Sequence, residues 1–293
     1  MSDNFQAQRY ERKYFVSQSR ALQIREFVRH HLVPDEYSEG QPNYSYPVHS
    51  LYLDSDQLTT YWATVCGEKS RFKLRLRFYD DNPETPVFFE VKRRMNECII
   101  KQRAAVRKSA AAMLVGGQYP GPEHMLNQKP SNLVAVQKFC QFMHHLSARP
   151  KLHVAYMREA WVPRDNNLLR VTLDREIRGA IVRKVQLTTK MVEPFHWRWM
   201  ASHAPPEAVQ LTTKMVEPFH PYGDKVILEL KYTHYFPEWY RDLVGLFNLV
   251  QTGAPKYSGC VIGIGEEHIS APAEWNRAMP RTGWQKQGWQ KEC

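Results

Sequence analysis

The sequence lacks several features that define large classes of protein. Its cysteines are scattered, and no two have the Cys-x-x-Cys spacing of a zinc or redox site. The first residues, MSDNFQAQRYERKYF, contain no apolar core of a signal peptide. No run approaches the roughly 18 apolar residues that a membrane helix requires. We therefore expect free thiols and a soluble, cytoplasmic protein without a membrane span.

Motifs of common nucleotide-binding and hydrolytic enzymes are also absent. The Gly-x-x-x-x-Gly-Lys loop of P-loop ATPases does not occur. The adjacent pairs His30-His31 and His144-His145 fall inside predicted helices, where neighbouring side chains diverge, so they do not predict a metal site. No Ser-His-Asp or Cys-His set can be assembled. The charged residues are left as the main chemical signal.

Negative charge is scarce relative to positive charge. The 293 residues include 40 Lys and Arg against 30 Asp and Glu, a formal net charge of +10. This balance predicts an acidic partner, but it does not distinguish nucleic acid, a membrane surface and a phosphorylated ligand. The hydrophobic share of 43% is that of a folded chain, and the length allows a sizeable core.

The positive charge lies at alternate positions of predicted strands. Arg71, Lys73, Arg75 and Arg77 alternate with apolar residues, and side chains two apart share one face of a strand. Like charges on one face repel each other, so we expect an anionic ligand there. Other predicted strands carry similar faces: Glu11 with Lys13, Glu90 with Lys92, Lys101 with Arg103, Arg170 with Asp174, and Glu229 with Lys231.

The hydrophobic pattern predicts a sheet with helices packed outside it. Strands are predicted over 8–16, 47–54, 70–79, 86–95, 97–106, 151–162, 168–175, 177–190 and 225–233. Helices are predicted from Ser17 to near Pro34, over 108–115, from Ser131 and from Pro237. If the sheet closes, every charged face lines a single lumen. The predicted fold class is α+β, an antiparallel β-barrel with flanking α-helices.

One segment of the chain is duplicated. The sequence VQLTTKMVEPFH occurs at Val185–His196 and again at Val209–His220. Two copies are too few for a solenoid, so we interpret the region 185–220 as a tandem duplication that forms a surface excursion. No linker divides the chain. We predict one domain over 1–270 and a flexible tail over 271–293.

An ordered set of segments resembles the catalytic domain of the vacuolar transporter chaperone (VTC) polyphosphate polymerases. The segments are ERKYF at Glu11–Phe15, LYLDS at Leu51–Ser55, RFKLRLRFY at Arg71–Tyr79, FFEVKRR at Phe88–Arg94, RVTLDREIRG at Arg170–Gly179 and LELKY at Leu228–Tyr232. That family belongs to the triphosphate tunnel metalloenzymes. The resemblance implies a β-tunnel in which the terminal phosphate of ATP is transferred to polyphosphate, with Mn²⁺ or Mg²⁺ as the cofactor.

The resemblance also implies roles for individual residues. The catalytic positions would be Lys13, Arg75, Arg77, Lys92 and Lys231. Further phosphate or nucleotide contacts would come from Arg71, Lys73, Lys101, Arg103, Arg158, Arg170, Lys256 and Ser258. The metal would be held by Glu229, with Glu11 and Glu90 as the other candidate carboxylates. Gly259 occupies a position where another basic residue is expected.

Two other functions stay open at this point. The first is an inorganic or nucleoside triphosphatase of the same fold, and the second is a polyanion-binding module without catalysis. The related hydrolase branch opens with Glu-x-Glu-x-Lys, whereas this chain has Arg9, Glu11 and Lys13, which favours the polymerase. We expect ATP, polyphosphate and tripolyphosphate as partners. Nucleic acid is not expected, because the aromatic residues of Arg71–Tyr79 lie on the face opposite the cations.

Overall fold

The described residues form one antiparallel sheet with α-helices packed on it. The structure, a computed structural model, describes residues 10–96, 98–166, 168–182, 211–233 and 235–270. The strands are β1 Tyr10–Val16, β2 Val33–Pro34, β3 Ser45–Asp54, β4 Ser70–Phe78, β5 Val87–Met95, β6 Cys98–Val106, β7 Arg149–Val162, β8 Leu169–Ile181 and β9 Val226–Tyr232. The helices are α1 Gln18–Arg29, α2 Thr59–Val65, α3 Lys108–Val115, α4 Pro130–His145, α5 Glu238–Leu246 and α6 Lys256–Ile264. The mixed α and β fold with a large antiparallel sheet is confirmed.

The predicted closure of the sheet into a barrel is not confirmed. The strand order is β1-β9-β8-β7-β3-β4-β5-β6, with β2 paired to β7 beside this path, so β1 and β6 are edges. No ladder joins these edges within the described ranges. The sheet is nevertheless strongly curved: it brings Nζ of Lys92 on β5 to 3.9 Å from Oε2 of Glu11 on β1. Charged side chains, rather than backbone hydrogen bonds, therefore span the gap beside the edge strands.

Two hydrophobic cores cover the outer face of the sheet, as predicted. Helix α1 begins after Ser17, whose Oγ accepts a hydrogen bond from the Arg20 amide at 3.2 Å. It buries Ala21, Ile24 and Val28, which recur at helical spacing, and together with α5 it covers β1, β8 and β9. Helices α3 and α4 cover β3 to β6. The charged faces of the strands are thereby turned inward.

A third core, which the sequence pattern did not predict, lies on the inner face. Helices α2 and α6 were both missed, and Tyr257 and Cys260 of α6 pack with Leu152 and Val154 of β7. These β7 residues share the strand face of Tyr156, so α6 occupies part of the space that the sheet encloses. The approach is close, since a Cβ added to Gly179 would lie 2.6 Å from Sγ of Cys260. Glycine is therefore required at that point of β8.

Strand β8 corrects the predicted break near position 176. The pattern predicts two strands there, but a single strand runs from Leu169 to Ile181. Glu176 has a φ of 52° where the register shifts between Ala155 and Met157 of β7. A bulge of this kind adds one residue and reverses the alternation of faces, which makes one strand read as two.

The duplicated segment is described only in its second copy, from residue 211 onward. The first copy lies outside the described residues, and so does the predicted tail 271–293. Phe219 exchanges two backbone hydrogen bonds with Gly179, of 2.7 and 2.8 Å. Thr213 donates hydrogen bonds from its amide and its hydroxyl to Asp81, both at 2.6 Å. The described part of this copy is therefore attached to the sheet.

The cysteines differ in part from expectation. Cys140 and Cys260 are free and buried, as expected. Cys66, in the exposed turn after α2, is disulfide-bonded, so the prediction of a free thiol is wrong there. In the part of the chain that the structure describes, no helix has the length and apolarity to cross a membrane.

Candidate functional site

The curved sheet encloses a basic cavity of about 450 Å³. We call it the lumen; it is lined by β1, by β3 to β9 and by the start of α6. Thirteen of its lining residues are lysine or arginine, and Glu11 and Glu229 are the acidic ones. The basic lining residues are Lys13, Arg71, Lys73, Arg75, Arg77, Lys92, Arg94, Lys101, Arg103, Arg158, Arg170, Lys231 and Lys256. The structure therefore brings together every basic residue that the sequence placed in the site.

A first cluster of charges is centred on Glu229, which is only 4% exposed. Its Oε2 lies 2.6 Å from Nζ of Lys231, and its Oε1 lies 3.0 Å from Nζ of Lys256 and 3.4 Å from Nζ of Lys13. Nη2 of Arg158 is 3.8 Å from Oε2. One buried carboxylate thus holds cations from β1, β7, β9 and α6 in a single group.

Asp174 on β8 completes this cluster, although the sequence did not mark it as a site residue. Its two oxygens accept hydrogen bonds from Nε and Nη2 of Arg158, each at 2.7 Å. Nζ of Lys256 lies 2.6 Å from Oδ2 of Asp174. The sequence pattern placed Asp174 on the same strand face as Arg170, but it could not show which cations Asp174 pairs with. Asp174 fixes the planar guanidinium of Arg158 and the amine of Lys256 in place.

The pKa values of most groups in this cluster favour the charged form; Lys231 is the exception, because burial lowers its pKa. Burial alone would raise the pKa of both carboxyls, but the surrounding cations outweigh it and hold the pKa of Glu229 and Asp174 below its usual range. Burial opposes the charge on Lys256 as well, yet Asp174 and Glu229 raise its pKa. For Glu11, the nearby lysines overcome burial and lower the pKa to about 2.

A second cluster is centred on Glu90 of β5, which is 1% exposed. Its Oε2 lies 2.5 Å from Nε of Arg75, while its Oε1 lies 3.1 Å from Nζ of Lys101 and 3.3 Å from Nε of Arg103. Arg75 also donates a hydrogen bond from Nη1 to the hydroxyl of Tyr52 at 3.3 Å. Arg75 is therefore a paired cation and not the free inward charge that the strand pattern suggested.

Arg77 and Lys73 of the same strand lack such a partner. Neither has a carboxylate within 4 Å among the described residues. Arg77 donates to the hydroxyls of Ser50 at 3.5 Å and Tyr156 at 3.3 Å. Burial, together with the positive charges of Lys92, Lys13 and Arg71, lowers the pKa of Lys73 to about 7. Arg77 is therefore a lumen cation without a carboxylate beside it, whereas burial and the neighbouring cations hold Lys73 partly neutral near pH 7.

The first turn of α6 explains the unexpected Gly259. Its Cβ would collide with the hydroxyl of Tyr222, which donates a hydrogen bond to the carbonyl of Pro255 at 3.0 Å. A basic side chain cannot be accommodated there without moving Tyr222. The predicted site residue Ser258 lies behind the lumen surface, and its Oγ is 3.4 Å from Nζ of Lys73. A lysine from β4 thus reaches the turn of α6 where the sequence lacks a second cation.

Buried tyrosines and aspartates were the main residues that the sequence analysis missed. Asp54 accepts hydrogen bonds from the hydroxyl of Tyr257 at 2.8 Å and from the amides of Thr60 and Tyr61 at 2.9 and 3.0 Å. It therefore ties the start of α2 to α6. Asp35, in the loop after β2, pairs with the predicted phosphate ligand Arg170. Both aspartates hold elements that line the lumen. In the sequence each is only a polar residue at the end of a strand, so its role could not be predicted.

The carboxylates of the site do not form a metal cage by themselves. In the described part of the chain, no group of three His, Cys, Asp or Glu side chains is arranged to hold a metal ion. Both oxygens of Glu229 face lysine amines, and Glu90 is surrounded by three cations. Mg²⁺ is often held by one or two carboxylates together with waters and substrate phosphates. An ion that arrived with a phosphate chain would need no more than one or two of these carboxylates.

Comparisons with known proteins identify the family. The model of the VTC domain matches residues 8–262. No curated protein gives a significant match. The solved structure of the PH1819 protein from Pyrococcus horikoshii OT3 is similar at 11% identity with a TM-score of 0.38, covering 88% of this chain and 99% of that one. The VTC match spans most of the chain and every strand that lines the lumen, and the chain belongs to the VTC domain family.

Proposed function

We propose that the protein is a polyphosphate polymerase that transfers the terminal phosphate of ATP to a polyphosphate chain within the lumen. The observation that carries this proposal is the convergence of thirteen cations on one cavity in a chain of the VTC family. A bare phosphate chain carries charge at every unit, so a cavity lined by many cations matches it. A polyphosphate-related role follows from the family; the transfer reaction is our proposal.

The mechanism relies on positioning and on neutralising charge. Phosphoryl transfer places negative charge on the oxygens of the transferred group, and fixed cations stabilise that charge without reorganising. Arg158, Lys256 and Lys231 are already oriented by Asp174 and Glu229, so they require little reordering when phosphate binds. Arg77 and Lys73 supply charge without a carboxylate partner in the described residues. No covalent intermediate is needed.

A divalent ion, Mn²⁺ or Mg²⁺, is part of the proposal as a companion of the substrate. Such an ion supplies further neutralisation of the phosphate oxygens. Glu229 and Glu11 are the residues that would hold it, because both lie at the lumen surface and both contact Nζ of Lys13, at 3.4 and 2.9 Å. Glu90 is the third candidate, but it lies behind its three cations.

The decisive experiment is incubation with ATP and Mn²⁺, followed by a gel stained for polyphosphate. We expect polymer to appear and to disappear when Arg77 is replaced by Met, a change that removes a lumen cation without orphaning a carboxylate in the described residues. Release of phosphate without polymer would instead identify a triphosphatase. Absence of any ATP consumption with bound tripolyphosphate would identify a polyanion-binding module.

A further inference from the structure

Three tyrosines meet at one opening of the lumen. We call Tyr37, Tyr46 and Tyr79 the tyrosine mouth; all three line the same cavity as the phosphate-binding cations. The ring centroids of Tyr37 and Tyr79 are 6.4 Å apart with the rings within 3° of parallel. Tyr46 lies 5.9 Å from Tyr37 and 6.2 Å from Tyr79. The phosphate chemistry of the lumen makes no use of these aromatic faces.

Tyr37 is exposed, and hydrogen bonds anchor the backbone of its turn. Its side chain is 61% exposed. The Asp35 amide donates to the carbonyl of Ala160 at 2.9 Å, and the Ala160 amide donates to Oγ of Ser38 at 3.0 Å. The Ser38 amide in turn donates to Oδ1 of Asp35 at 2.9 Å. The backbone of the turn is therefore held against β7 on both sides of Tyr37, which fixes the point at which its side chain leaves the chain beside the lumen.

Arg103 connects the tyrosine mouth to the charged interior. Its guanidinium lies 3.6 Å from the ring centroid of Phe88, and its Nη2 donates to the hydroxyl of Tyr79 at 3.3 Å. Its Nε is 3.3 Å from Oε1 of Glu90. An aromatic platform and a phosphate-binding cluster are thus separated by a single side chain. A molecule with a flat ring at one end and phosphates at the other matches this arrangement.

We propose that the tyrosine mouth binds the nucleobase of a nucleoside triphosphate whose phosphates enter the lumen. This inference rests on the proposed use of ATP as the phosphate donor. Aromatic side chains stack on any base, because every base has a π face. The mouth therefore separates nucleotides from bare polyphosphate, and it favours purines over pyrimidines only through their larger stacking area.

The test compares two ligands that differ in the presence of a nucleoside. The affinities of ATP and tripolyphosphate are measured by calorimetry without metal for the parent protein and for Tyr37→Ala. We expect the ATP affinity to fall roughly tenfold, within the range for loss of one base–aromatic stack, while the tripolyphosphate affinity is unchanged. Tyr37→Trp should retain or strengthen ATP binding. Tyr119→Ala is the matched control, since Tyr119 is 76% exposed and does not line the lumen.

The possible outcomes separate this inference from the proposed function. Equal weakening of both ligands, or no weakening of ATP, would overturn the base-binding role of Tyr37. The same conclusion would follow if the nucleoside of ATP contributed nothing to its affinity for the parent protein. If ATP binding depends selectively on Tyr37 but no polymer forms with ATP and Mn²⁺, the base site stands and the polymerase proposal falls. If polymer forms but Tyr37→Ala has no selective effect on ATP, the polymerase proposal stands and the base site falls.

Discussion

Replacing Glu229 by Gln tests whether the empty lumen holds its cations ready for phosphate. The substitution keeps the shape of the side chain but removes the negative charge that Lys231 and Lys256 approach at 2.6 and 3.0 Å. An amide N–H then faces these cations. Removing one partner of a buried ion pair typically costs about 3–5 kcal/mol. The melting temperature of the unliganded protein should therefore fall by roughly 5–10 °C.

Tripolyphosphate should reverse most of this loss. Its oxygens supply the negative charge that the variant lacks, so the variant is expected to bind tripolyphosphate more than roughly tenfold more tightly than the parent in metal-free buffer. Because a ligand stabilises a protein in proportion to the logarithm of its concentration over its dissociation constant, the melting difference between variant and parent should shrink by more than half at saturation. Thermal unfolding with and without ligand, in the presence of a chelator, measures both quantities.

Glu159→Gln provides the matched control for this experiment. Glu159 is 0% exposed and accepts hydrogen bonds from Arg25 at 2.8 Å, Arg175 at 2.6 Å and the indole of Trp161 at 2.8 Å, in contact with the outer core. Its substitution should destabilise the protein equally with and without tripolyphosphate. If Glu229→Gln behaves in the same way as this control, Glu229 does not hold cations that phosphate uses, and the reasoning is refuted.

Three further predictions follow from the charges and the packing around the lumen. Arg75→Met should lower the free energy of unfolding by about 3 kcal/mol, because it removes one partner of the buried Glu90. Arg77→Met should leave the free energy of unfolding unchanged or higher, because among the described residues Arg77 donates only to hydroxyl groups. Denaturant titration measures both values, and an equal loss would contradict the assignment of Arg75 as the paired cation and Arg77 as the unpaired one. The pKa of Lys73 is lowered from 10.5 to about 7, so the stability of the unliganded protein rises with pH across that window. When tripolyphosphate binds near pH 8, the parent protein should take up a proton on Lys73, and the Lys73→Met variant should not. Calorimetry in two buffers measures this uptake, and equal uptake by both proteins would exclude Lys73 as its source. Gly259→Lys should lower the melting temperature, and a second change, Tyr222→Ala, should restore part of it; additive losses would show that the two sites do not compete for space.

The strands and the inward cations could be predicted because their signal is local. The alternation at Arg71–Tyr79 has a period of two residues, which assigns both the strand and its faces, and β4 begins within a residue of expectation. The cap at Ser17 is equally local, since it bonds the amide of Arg20. In each case the atoms that decide the structure are a few residues apart in the chain.

The pairing of charges and the inner core could not be predicted, because they depend on distant contacts. Lys256 is held by Asp174 and Glu229, which lie on two other elements. The apolar residues of helix α6 do not by themselves predict a helix inside the sheet. Its position there depends on packing against Gly179 of β8. The approach of β5 to the edge strand β1 is likewise made by the side chains of Lys92 and Glu11, which periodicity cannot report.

The order of the strands also governs how the protein reaches its folded state. β1 pairs with β9 in a register that places Tyr10 opposite Tyr232, so the first and last described strands are neighbours. Lys13 of β1 and Lys256 of α6 can meet at Glu229 only after the chain has been synthesised beyond residue 256. Contacts between such distant residues slow folding, since a long loop must close before they form. Until that step the basic strands repel each other, and polyanions in the surrounding solution are expected to speed the assembly of the chain.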